Sequence, residues 1–90
     1  MEKFEIIKEM KYTIGDHFIK GRILKNVISG IASNYPYSWE VSHYCSVDGE
    51  AAPYHPGNQF GTTPDEAESS LEGYLKRFED CIMIEDNHYY

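Results

Sequence analysis

The chain opens on an alternation of apolar and polar positions that runs from residue 3 to residue 14. Phe4, Ile6, Met10, Tyr12 and Ile14 fall in one phase, and Lys3, Glu5, Glu9, Lys11 and Thr13 in the other. A period of two places alternate side chains on opposite faces of an extended backbone, so the pattern predicts a long, half-buried strand. Gly15-Asp16 follows as a tight turn.

Residues 17–31 carry two conflicting signals. Ile19, Ile23, Leu24, Val27, Ile28 and Ile31 make a helical stripe that Asp16 would cap. Gly21 and the β-branched Ile19, Ile23, Val27, Ile28 and Ile31 oppose a helix, because branching at Cβ restricts the side chain against the preceding turn. Periodicity favours helix and composition favours strand. We read the stretch as a strand returning along the first.

After a loop at 32–36, Tyr37 to Val47 alternates again, with Tyr37, Trp39, Val41, His43 and Cys45 on one face. Asp48-Gly49 ends that strand. The stretch 50–63 holds Pro53, Pro56, Gly57 and Gly61 and is expected to be irregular, with Gln59-Phe60 as a short edge pairing.

Thr63-Pro64-Asp65-Glu66 is the clearest signal in the chain. Thr63 is placed to accept the amide of the third helical residue while Glu66 reaches back, which is a capping box. Pro64 sits at the first helical position, where its missing N–H costs nothing. Asp65 and Glu66 oppose the positive end of the helix dipole. Ala67, Leu71, Tyr74, Leu75 and Phe78 then recur at helical spacing, so one stripe faces a core. Cys81–Ile84 is a short apolar run that either adds a strand or extends the helix, and the residues from Glu85 on are expected to fray or to depend on an interface for their order. The predicted architecture is α+β: an antiparallel sheet of three or four strands with a C-terminal amphipathic helix packed on one face. A helical 17–31 would give two helices on a smaller sheet.

Ninety residues fit a single domain, 1–90, with one core. A 41% apolar and 14% aromatic content is enough for a packed interior and argues against disorder. The net charge of −7 is unevenly spread: +2 over residues 1–31, −3 over 32–64 and −6 over 65–90. Phosphates demand Lys and Arg, so this balance argues against direct binding to nucleic acid or an anionic membrane and permits binding to a basic protein surface. No apolar run approaches a membrane span and the start has no apolar leader, which predicts a cytoplasmic protein with reduced Cys45 and Cys81.

No catalytic motif is present, and no cofactor is implied. His43-x-Cys45 and His55 are ligand types, but paired spacings such as Cys-x2-Cys or His-x3-His are absent, so a metal site is not expected. Residues 32–64 contain no cation to help make Cys45 a thiolate. What remains is a cluster of tyrosines, a residue type enriched at binding hot spots, in and after the segment that holds Trp39. There is also an acidic helix ridge. The expected contact residues are Tyr35, Tyr37, Tyr54, Asp65, Glu68, Glu72, Glu79 and Asp80, with Trp39 in the core. Such a chain suits a non-enzymatic interaction module, for example an inhibitor or adaptor of phage or mobile-element origin that blocks a basic, nucleic-acid-binding surface. The alternatives are a small-molecule binder or minor enzyme using Tyr44, His43, Cys45 and His55, and a homo-oligomeric subunit.

Overall fold

The computed structural model describes residues 3–28, 36–52, 54–56 and 59–90. Strand β1 (Lys3–Ile14) turns at Gly15-Asp16 into β2 (His17–Ile28), and the two pair antiparallel along their whole length. β3 (Tyr37–Val41) pairs with the middle of β2, and a two-residue β5 (Phe60–Gly61) pairs with β3. The resulting sheet is ordered β1-β2-β3-β5. β4 (His43–Ser46) leaves that sheet and pairs with β6 (Met83–Asp86) in a second, two-stranded one. The fold is α+β, with helix α1 (Pro64–Leu75) packed across one face of the larger sheet.

The strand reading of 17–31 holds over the described part, His17–Ile28. Its glycine has a packing role: a Cβ at Gly21 would lie 2.7 Å from a Leu71 methyl, so the missing side chain seats the helix on the sheet. The face beneath α1 carries Ile19, Ile23, Trp39 and Val41 from β2 and β3. Ala67, Leu71, Tyr74 and Leu75 come down from the helix. Met10, Tyr12 and Ile14 of β1 extend the same core.

Phe4 and Ile6 do not join that core, which corrects the expected single face of β1. Ile6 pairs with Leu24 and Lys8 with Ile23, so Ile7 is an extra residue, a β-bulge. One inserted residue reverses the phase of the strand on its two sides. Lys8, Met10 and Tyr12 therefore face the helix, and Phe4 and Ile6 face the opposite way with Leu24.

A second correction concerns 37–47, which is not one strand. At Ser42 the chain kinks between the two sheets, held by Ser42 N–H to Lys20 O and Lys20 N–H to Ser42 Oγ, both 2.8 Å. Cys45 still reaches the core, and His43 turns to Asp86.

The helix starts as its sequence demands. Thr63 Oγ1 accepts the Glu66 N–H at 3.1 Å, although the Glu66 carboxylate takes the Thr62 hydroxyl at 2.7 Å. The helix tightens into a 3₁₀ segment, Lys76–Asp80, which buries Phe78. The apolar run 81–84 resolves as the lead into β6, and the residues from Glu85 on are built into the fold instead of fraying. Asn87 Nδ2 donates to Val41 O at 2.8 Å, and the Tyr90 hydroxyl donates to Glu9 at 2.7 Å. Among the described residues no helix is long and apolar enough to cross a membrane.

Candidate functional site

The tyrosines expected at one surface are dispersed by the fold. Tyr35 lies outside the described residues. Tyr37 sits half-buried at the rim of the core, with Lys25 Nζ 5.9 Å from its ring centre. Trp39 goes into the core as expected and donates its indole N–H to Ser70 Oγ at 2.9 Å. Tyr54 is exposed, under the guanidinium of Arg77 at 4.7 Å. The organising tyrosine is Tyr74, which the helical stripe marked only as apolar. Its hydroxyl accepts the Cys45 N–H at 3.1 Å and donates to the Tyr54 carbonyl, tying the helix to β4 and to the segment after it. Burial pushes its pKa up to about 12.

The acidic ridge exists, and part of it is turned inward along the sheet edge. Glu68 pairs with Lys8, and Glu72 accepts the Tyr12 hydroxyl at 3.3 Å. The Lys8 ammonium is held above its usual pKa, first by its hydrogen bond to Glu68 and further by the charges of Glu68, Asp65 and Glu72. Asp65, Glu79 and Asp80 are exposed to solvent.

The two cations of this half of the chain fare differently. Arg77 binds Glu50, donates to the Cys45 carbonyl at 3.3 Å and lies against Tyr54. That contact holds the Glu50 carboxyl below the ordinary range, helped by the Val47 amide it accepts at 2.8 Å. Lys76 has no ion-pair partner among the described residues.

The His and Cys residues are occupied structurally. His43 lies between Asp86, 3.0 Å from Nε2, and the Ser42 hydroxyl, 2.7 Å from Nδ1. This Ser-His-Asp string bridges the two sheets, and its serine oxygen is already the acceptor for Lys20 N–H at the kink. His55 stacks on Tyr44 with ring centres 4.0 Å apart and sits 3.5 Å from Glu85. Cys45 is fully buried, which raises its thiol pKa to about 12 and leaves it no thiolate for nucleophilic work. Among the described residues no group of three His, Cys, Asp or Glu side chains is gathered to hold a metal ion.

The feature that sequence reasoning missed lies on the face of the sheet away from the helix. Phe4, Ile6, Leu24 and Phe60, with Tyr44 and Tyr89, line an open groove of about 540 Å³. Its flank carries the Arg22–Glu40 pair at 2.7 Å, and Tyr90 stacks on that guanidinium at 4.2 Å. The Tyr44 hydroxyl has its pKa raised by burial and further by the nearby Glu40 and Glu85 carboxylates. Beyond the C-terminal residues, a second concavity of about 400 Å³ includes Phe18, Lys20, His43 and His88. The signal for the groove was Lys8, a charge in the apolar phase of β1, beside Ile7, an apolar residue in the polar phase.

Comparison of the chain with family models, with curated proteins and with solved structures gave no match in any of the three.

Proposed function

We propose that this chain is a non-enzymatic interaction module whose acidic helix side docks on a basic protein surface. Residues 65–90 carry eight acids against Lys76 and Arg77. The observation that carries the reading is how the fold disposes of those charges. Arg77 is neutralised internally by Glu50, while Asp65, Glu79 and Asp80 stand exposed along the helix and its 3₁₀ continuation with Glu72 beside them. Holding like charges together on one helix weakens it slightly, which is offset when a cationic surface meets them. Charge of this sign and density suits a partner whose basic surface otherwise holds nucleic acid, and an inhibitor or adaptor of phage or mobile-element origin fits that role.

The test is capture of partners from a lysate of the native source by the tagged chain at low and at high salt. A basic protein is expected that is retained at low salt and released at high salt, because exposed charges are screened beyond about 10 Å at 0.1 M. A variant carrying Asp65→Asn, Glu72→Gln, Glu79→Gln and Asp80→Asn should lose that protein while keeping its circular dichroism. A partner indifferent to both salt and these four changes would overturn the reading.

A further inference from the structure

The two thiols of the chain are far apart in sequence and meet at the end of the 3₁₀ segment. Cys45, fully buried in β4, donates its Sγ proton to the Arg77 carbonyl of that segment at 3.4 Å. Cys81 follows the segment directly, and its N–H donates to Phe78 O at 3.4 Å. The next residue, Ile82, donates its N–H to Ser46 O at 2.9 Å. These bonds bring the chain back against β4. There the half-buried Cys81 packs on the core, and its thiol comes into hydrogen-bond contact with that of Cys45.

From this juxtaposition we infer that Cys45 and Cys81 form a reversible redox site, closed as a disulfide within the chain when it meets hydrogen peroxide. Cys81 is the reachable partner and reacts first. Its thiolate attacks one peroxide oxygen, an S–O bond forms as the O–O bond breaks, and the departing hydroxide takes up a proton and leaves as water. The Cys45 thiolate then attacks the Cys81 sulfur. The S–S bond forms, and the S–O bond breaks to release a second water. Between them the two thiols give up two electrons and two protons, and the peroxide is reduced to water.

Contact between the two sulfurs offsets the poor acidity of the second thiol. Burial, and next the hydrogen bond with Cys81, raise the Cys45 pKa to about 12, so about one molecule in 10⁵ carries the thiolate at pH 7. That rules out attack on a freely diffusing substrate. A sulfur already held in place counts as an effective concentration of about 10⁵ M or more, which brings the step back to the rate of a free thiolate at about 1 M. The bond joins β4 to the lead into β6 and encloses all of α1 in the closed loop, which restricts the unfolded chain. The site is independent of the basic-partner reading.

The test treats the full, reduced chain with excess hydrogen peroxide under native conditions and maps its peptides by mass spectrometry without reduction. A linked pair of peptides carrying Cys45 and Cys81, lighter by two hydrogens than its parts, is expected, and dithiothreitol should separate it. Oxidation should raise the Tm by at least about 5 °C, a rise absent from Cys81→Ser. In Cys45→Ala the first thiol loses the partner that resolves it, and Cys81 should pass on to the sulfinic acid. Sulfinic acid on Cys81 of the native chain with no linked pair would overturn the inference. So would a disulfide that joins two chains, or a pair of thiols that the peroxide leaves unchanged.

Discussion

The two faces of the four-stranded sheet come from the same strands and are finished in opposite ways. The inner face is closed by a helix whose every contact is specified: Gly21 under Leu71, Gly61 against the first turn, and Trp39 bonded to Ser70. Among the described residues, the outer face is crossed by the C-terminal ones, where Tyr90 lies on Arg22 and bonds Glu9. Large apolar side chains are left exposed on either side of that crossing. Stability should therefore reside mainly on the inner face, and substitutions can test how clean that division is.

The largest effect should come from the inner face. Trp39→Ala removes a fully buried ring and orphans the Ser70 hydroxyl, and should cost about 3–5 kcal/mol in chemical denaturation. Phe4→Ala, on the outer face, should cost under about 1 kcal/mol because half of that ring is already in water. Comparable losses at the two sites would show that the outer face is as much core as the inner one.

Gly61→Ala should come next. Its Cβ would meet the Ala67 backbone nitrogen at 2.8 Å, and main chain at a helix start cannot rotate away as a side chain can. A cost of about 1–3 kcal/mol is expected, read as a lower Tm. An unchanged Tm would mean that the helix start can slide on the sheet.

Tyr74→Phe is subtler than Gly61→Ala. It leaves the Cys45 N–H and the Tyr54 carbonyl without their shared partner, for about 1–2 kcal/mol at neutral pH. The same hydroxyl predicts alkaline sensitivity. Its pKa is about 12 in the folded chain against an ordinary value of 10.0. The unfolded chain thus loses its proton first, and the stabilisation present below pH 10 is lost as the pH climbs towards 12. The gap in stability between the native chain and Tyr74→Phe should narrow across that interval. A constant gap would place the hydroxyl in contact with water.

These contrasts mirror what was legible in the sequence. Thr63-Pro64 fixed the helix start, since capping is a matter of four neighbouring residues, and the β-branched content of 17–28 outweighed its helical spacing. Of the expected contact residues, Asp65, Glu79 and Asp80 are exposed as read from the helix alone. The ties of Glu68 to Lys8 and Glu72 to Tyr12 were hidden, because they join residues sixty apart. The ordering of the C-terminus was hidden for the same reason, with Tyr90 anchored 81 residues away on Glu9. The kink at Ser42 could not be seen in an alternation that continues unbroken through it.

The bulge at Ile7 has one more consequence, at the edge of the sheet and not on its faces. β1 is the outer strand of the larger sheet, twelve residues long, and among the described residues no strand pairs with its other side. A regular strand of that length is a template for uncontrolled polymerisation. The extra residue breaks the even row of amides and carbonyls halfway along, and Lys3, Lys8 and Lys11 add charge on both sides of the break. A chain lacking Ile7 would keep Phe4 and Ile6 on their present face and pair more regularly with β2. It would also present a straight, uninterrupted edge, and its cost would appear in solubility before it appeared in folding.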